Sequence, residues 1–180
     1  MANGAPVPSQ ILAATADNCT LVAVIGPATF RLAPAFKQAT QAARLAGSAL
    51  IVADMAACRS MDSTFMGALA SLGLALQSPE TTRFALINLN PNAVALLKGL
   101  GLDRILKGYP AGALPPGLGD LSRLVQNLKP VEAVPPGERE MAALMYDAHE
   151  TLARVDPENL QRFKDVLAFL RQDLQRLDPA

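Results

Sequence analysis

Residues that bind metals or carry redox chemistry are scarce in this 180-residue sequence. It contains two cysteines, Cys19 and Cys58, which form no CxxC pair, and a single histidine, His149. An ordinary zinc site needs about four ligands of these types in close spacing. We therefore expect no metal site and no cofactor.

The sequence also lacks an excess of either charge, because 16 basic residues balance 16 acidic ones. No net field would attract it to nucleic acid or to an anionic membrane. No segment approaches the roughly 18 uninterrupted apolar residues of a membrane span, and the first ten residues lack the basic and apolar regions of a signal peptide. We expect a cytoplasmic protein without membrane insertion or nucleic-acid binding, whose partners are proteins.

Common catalytic motifs are missing as well: the sequence contains no GxGxxG, GxxxxGK[ST], GxSxG or HExxH. His149 lies near Asp147 and Glu150, which favours a solvated helix face over a general base. Cys58 has only Arg59 as a cationic neighbour in sequence, so it is expected to be an inert thiol. The chain is predicted to be no enzyme, and these absences disfavour the alternative of an unrelated small α/β enzyme.

Hydrophobic residues make up 51% of the chain, which predicts a sizeable core. Two apolar runs separated by Asp17 and Asn18 predict an opening β-hairpin. Helix and strand patterns then alternate, which implies right-handed parallel crossovers. The sequence therefore predicts an α/β fold with a small mixed β-sheet covered by helices. The predicted elements are strands over 11–15 and 20–25, a helix ending at Gly47, a strand over 49–53, a helix from Asp62 to Ser78-Pro79, a strand over 84–89 and a helix with Asn90 as its N-cap and Pro91 at its first position.

A change in composition near Tyr109 divides the chain. Residues 1–108 are predicted to fold without the rest, and residues 109–137 form a Pro/Gly-rich linker with a short apolar segment over 121–128. Residues 138–180 carry two helical patterns that predict a C-terminal helical hairpin. The second pattern forms a narrow apolar seam, expected to be buried against the first domain, the preceding helix or a second chain in a homodimer. Its residues are Leu160, Phe163, Leu167, Leu170 and Leu174.

One segment, from Asp54 to Gly67, combines a strand end, a short loop and an Asp-Ser-Thr triplet at a helix start. Hydroxyls placed there lie near unpaired backbone N–H groups and the positive end of the helix dipole, where a phosphate is favoured. The simpler explanation of the triplet is that Asp62 or Ser63 caps the helix.

The same segment, D-M-A-A-C-R-S-M-D-S-T-F-M-G, resembles the signature of the STAS family, to which anti-sigma factor antagonists belong. The resemblance covers about residues 10 to 107 and implies the STAS fold. It makes Asp54 the strand-end aspartate, Ser63 the phosphorylatable serine and Thr64 a second acceptor. Phe65 stands where the family has a glycine, and Thr29 where antagonists often have an acid. The implied partner-binding residues are Asp62, Ser63, Thr64, Phe65 and Met66.

This resemblance implies a regulatory role by partner switching. The unmodified domain would bind an anti-sigma factor that is also a serine kinase, and phosphorylation of an exposed Ser63 would end that binding until an opposing phosphatase reversed it. A phosphate adds about −1.5 to −2 charge beside Asp62, which opposes docking. The alternative is a structural STAS subunit of a lipid-transport ABC complex, which needs no phosphorylation and which Phe65 and Thr29 favour.

Overall fold

The computed structural model describes residues 8–77 and 83–177. Ser78-Pro79, the predicted end of the second helix, lies outside the described residues. Within the described chain, one seven-stranded sheet has the order β6-β5-β3-β2-β1-β7, and β4 pairs with β2 off this path. The strands are β1 (Gln10–Ala16), β2 (Cys19–Ala28), β3 (Leu50–Asp54), β4 (Cys58–Met61), β5 (Arg83–Leu89), β6 (Lys107–Pro110) and β7 (Lys129–Pro130).

The predicted mixed sheet is confirmed. Strands β1 and β2 form the expected antiparallel hairpin, and Asp17 and Asn18 at its turn have φ values of 48° and 60°. Two consecutive positive φ values match the twist of a tight hairpin, and Asp and Asn tolerate them best after glycine. Strands β3 and β5 then add parallel to the hairpin. The carboxyl ends of β2 and β3 therefore lie at one edge of the sheet.

Six α-helices are seen in the described residues, together with a 3₁₀ turn at Leu102–Arg104. Helices α1 and α2 contribute to the main core, where the Phe36 and Phe65 rings lie 5.2 Å apart. The predicted N-cap Asn90 accepts a hydrogen bond from the Ala93 N–H at 2.8 Å. The helices are α1 (Ala33–Leu45), α2 (Ser63–Ala75), α3 (Pro91–Gly99), α4 (Ser122–Gln126), α5 (Glu138–Val155) and α6 (Pro157–Leu177).

Two features of the chain were not predicted from the sequence. The loop after β3 contains strand β4, whose residues Cys-Arg-Ser-Met lack the apolar run that marks a buried strand. The 109–137 segment also contributes structure, because β7 pairs with the edge strand β1 and Leu124 of α4 is buried. Strand β6 crosses position 108, so the predicted domain boundary cuts through it.

The C-terminal hairpin, α5 and α6, packs on the sheet domain, with α5 against α2 and α6 against α5. Leu152 of α5 is fully buried in the main core. In the predicted seam Leu167 and Leu170 are buried, and Phe163 and Leu174 are half-buried. The expected burial of Leu160 is wrong, because Leu160 is 51% exposed and the neighbouring Asn159 points inward. No helix among the described residues is long and apolar enough to cross a membrane.

Candidate functional site

Asp62 joins two loops at the edge of the sheet. Its Oδ1 accepts the Phe65 N–H at 2.8 Å, which makes it the N-cap of α2. Its Oδ2 accepts the Phe30 N–H at 2.7 Å, which ties the β2–α1 loop to the start of α2. The capping role that the residue type suggested is therefore filled by Asp62, and the Ser63 hydroxyl is left for another contact.

That contact is with His149. The Ser63 Oγ lies 2.9 Å from His149 Nε2, and His149 Nδ1 lies 2.7 Å from the carbonyl oxygen of Met145. A carbonyl oxygen only accepts hydrogen bonds, so Nδ1 carries a proton, and in this tautomer Nε2 accepts from the Ser63 hydroxyl. Ser63 is half-buried rather than exposed as expected, because α5 covers one side of it.

The expected solvated position of His149 is wrong, since its side chain is only 3% exposed. Its neighbours Asp147 and Glu150 do face solvent. His149 instead follows Met145 by four residues and precedes Leu152 by three, so it lies on the inward stripe of α5. This spacing is the sequence feature that could have indicated the burial of His149. The Phe163 ring of α6 packs edge-on against the imidazole at 5.1 Å and closes the site from behind.

Three of the five predicted partner-binding residues lie inside the protein. Thr64, Phe65 and Met66 are 3%, 0% and 6% exposed. Phe65 faces the sheet because it lies on the apolar stripe of α2, and its ring contacts Phe36. The expectation that these side chains form an accessible docking surface is therefore corrected, and Asp62 and Ser63 are the members of the triplet region that reach the edge of the site.

The contacts of Asp54 and Cys58 give these two residues structural roles. Asp54 Oδ1 accepts hydrogen bonds from the Asn88 side chain at 2.8 Å and the Ala56 N–H at 2.9 Å, so the strand-end carboxylate shapes the loop that leads to β4. Burial raises the pKa of the Cys58 thiol, with backbone hydrogen bonds acting in the opposite direction. A raised pKa disfavours the nucleophilic thiolate. Among the described residues no group of His, Cys, Asp and Glu could hold a metal ion.

Sequence reasoning missed the contribution of the β2–α1 loop. Phe30 and Arg31 follow Thr29, and the Asp62–Phe30 hydrogen bond fixes this loop beside Ser63. Phe30 is half-buried, and the exposed Arg31 guanidinium lies 5.7 Å from the centre of its ring. A partly exposed aromatic ring and a cation are common components of protein interfaces. No local pattern signalled them, because they approach the site only through the fold.

A STAS domain family model matches residues 10–113, which is more than half of the chain. The chain belongs to the STAS family. A solved anti-sigma factor antagonist from Mycobacterium paratuberculosis is 26% identical, with a TM-score of 0.52 over 60% of this chain and 91% of that one. A candidate anti-sigma factor antagonist from Thermotoga maritima is 23% identical, with a TM-score of 0.49 over 56% of this chain and 86% of that one. No relative was found among curated proteins.

The predicted STAS fold is thereby confirmed, and the chain is a STAS protein with structural similarity to anti-sigma factor antagonists. The family match ends at 113, so it includes the Asp62–Ser63 site and leaves out α5 and α6. His149, which contacts Ser63, therefore comes from a part of the chain that the family model does not cover.

Proposed function

We propose that this protein is a non-enzymatic regulatory module of the anti-sigma factor antagonist type, controlled by phosphorylation of Ser63. The observation that carries the proposal is the position of Ser63. It is the first residue of α2, directly after the capping Asp62, within the span that matches the family. The proposed partners are an anti-sigma factor with serine kinase activity and an opposing phosphatase.

The chemistry of this position suits a charge-controlled contact. A phosphate on Ser63 would lie at the positive end of the α2 dipole, so the helix tolerates it. The same phosphate would add about −1.5 to −2 charge beside Asp62 and the Phe30 ring. A partner that packs against Phe30 and Arg31 would then face an unfavourable desolvation of charge. Phosphorylation therefore lowers affinity without unfolding the domain.

Replacement of Ser63 tests this proposal. Ser63→Ala should keep the fold and the partner, at a cost of about 1–3 kcal/mol because His149 Nε2 loses its donor. Ser63→Asp should weaken partner binding. The measurement is co-purification of each variant, expressed in the source organism, with mass spectrometry of the captured proteins.

Direct detection of the modification completes the test. Trypsin releases residues 60–83 as one peptide, and fragmentation of that peptide separates phosphate on Ser63 from phosphate on its other hydroxyl residues. Ser60→Asp is a matched control, because it adds the same charge at an exposed residue three positions before Ser63. Equal partner capture by the Ser63→Ala and Ser63→Asp variants would contradict phosphorylation control.

The half-buried state of Ser63 favours a second candidate, a structural STAS subunit of a lipid-transport ABC complex. Such a subunit needs no access to the hydroxyl, and the Ser63–His149 hydrogen bond would then be a fixed part of the packing. The same co-purification separates the two functions. Capture of transporter subunits, with Ser63 unmodified, would support the structural role, and capture of a serine kinase would support the regulatory one.

A further inference from the structure

Helix α5 lies along one face of α2 and covers Ser63. The contacts fall at positions 63, 67 and 71 of α2, which are four residues apart and so share one face of the helix. The Ser63 Oγ meets His149 Nε2 at 2.9 Å, and the Ser71 Oγ meets the Thr151 Oγ1 at 3.2 Å. Between them, a Cβ at Gly67 would lie 2.5 Å from the Ala148 carbonyl oxygen. The backbone of Gly67 therefore packs directly against the backbone and methyl group of Ala148.

The turn between α5 and α6 is fastened to the sheet domain by polar contacts. The buried Asn159 side chain donates from Nδ2 to the carbonyl oxygens of Leu100 at 3.0 Å and Leu152 at 2.9 Å. Asp156 lies 3.4 Å from Arg104, and Arg162 donates to the carbonyl oxygen of Gly99 at 2.6 Å. The hairpin is thus held at its turn and along α2.

Apart from these polar contacts, few apolar side chains of α5 are fully buried. Five side chains of α5 are buried, and Leu152 is the only large apolar one among them, while Leu144, Val155 and Phe163 are partly buried against the core. A cleft of about 340 Å³ separates α5 from α1, with Phe36 and Leu72 among its lining residues. The segment that leads into α5 is largely exposed to solvent: Val134 is 87% exposed, and Pro135 and Gly137 are exposed too. Elements with few buried apolar contacts open at a lower free energy than the core does.

We propose that the hairpin formed by α5 and α6 is a displaceable cover of the Ser63 face of α2, and that it competes with the protein partner for this face. The proposal rests on the proposed function for the identity of the partner, but the cover itself does not depend on it. A kinase needs the Ser63 hydroxyl free, and this half-buried hydroxyl is hydrogen-bonded to the buried His149 imidazole, so the cover must lift first. A phosphate on Ser63 has no room at a 2.9 Å contact with His149, so it keeps the cover open.

Gly67→Ala in the 180-residue chain tests the cover. The added methyl group meets the backbone of Ala148, which cannot move without displacing α5, whereas alanine is favourable within α2 itself. Hydrogen exchange of the α5 amides, measured by mass spectrometry, should become about tenfold faster or more, while β3 and β5 stay protected. Gly119→Ala is the matched control, since a Cβ at Gly119 meets nothing within 4 Å.

Ser63→Asp should open α5 in the same way, and Ser60→Asp should not. If β3 also lost protection in the Gly67→Ala variant, Asn159→Ala would replace it, because that change loosens the turn and leaves the α2 surface intact. The cover would be overturned if the α5 amides stayed as protected in the Gly67→Ala and Ser63→Asp variants as in the unchanged chain. Where Asn159→Ala replaces Gly67→Ala, unchanged protection of α5 in that variant would count in the same way. If α5 opens in these variants but Ser63 carries no phosphate in cells, the displaceable cover is supported and the proposed phosphorylation is refuted.

Discussion

At the scale of single residues, the site depends on how the Asp62 and Ser63 side chains divide their hydrogen bonds. Asp62 satisfies two backbone N–H groups, those of Phe65 and Phe30. Ser63 is left to donate to His149. A serine that capped the helix itself would be engaged with the backbone of α2. The aspartate thus frees the hydroxyl for a contact that can be broken.

Asp62→Ala should destabilise the protein by about 1–3 kcal/mol, because it removes the N-cap of α2 and the acceptor of the Phe30 N–H. The measurement is urea unfolding followed by circular dichroism. Asp165→Ala, at an exposed position in α6, is the control and should change stability by no more than about 0.5 kcal/mol. Equal effects of the two changes would show that the carboxylate of Asp62 has no structural role.

At the scale of elements, the apolar spacing of α6 predicts the buried side of the helix but not the exposure of every residue on it. Its apolar spacing predicted a buried side, and Leu167 and Leu170 are buried. Leu160 is exposed because the first turn of α6 is oriented by Asn159, whose side-chain amide donates to the carbonyl oxygens of Leu100 in the sheet domain and Leu152 in α5. A buried amide with its hydrogen bonds made fixes helix orientation more strictly than one leucine does.

Asn159→Ala should remove the side-chain donor to the carbonyl oxygens of Leu100 and Leu152 and cost about 1–3 kcal/mol, although Leu152 keeps the Asp156 N–H. The expected result is a lower midpoint of thermal unfolding and faster proteolysis within residues 131–137. Gln161→Ala, which changes an exposed side chain in the same turn, serves as the control. A normal midpoint in the Asn159→Ala variant would mean that the turn is held by other contacts.

At the scale of the whole molecule, the family-matched domain and the hairpin share one core. Leu152 belongs to the same buried cluster as Phe36 and Phe65. Strand β7, from the segment between them, pairs with β1 and covers part of an edge that would otherwise be open to other chains. These contacts bear on the prediction that residues 1–108 fold alone, which stays a prediction.

Truncation measures these contributions. A chain of residues 1–137 keeps every strand of the described sheet and should fold, with a lower midpoint of thermal unfolding than the full chain because Leu152 no longer fills the core. A chain of residues 1–108 ends within β6 and lacks β7, so it should be less stable again and more prone to aggregate. Equal midpoints for the full chain and residues 1–137 would show that the hairpin contributes nothing to stability.

Most of the helices and strands before residue 108, and the family, could be predicted from the sequence alone. Turn residues at Asp17 and Asn18, a helix cap at Asp62 or Ser63, and the apolar runs act over a few residues, so their effects are readable without the fold. The contact partner of Ser63, in contrast, could not be predicted from the sequence. His149 lies 86 positions away, and its approach depends on α5 packing closely at Gly67. Contacts between distant elements depend on the summed packing of the whole core, which no local pattern encodes.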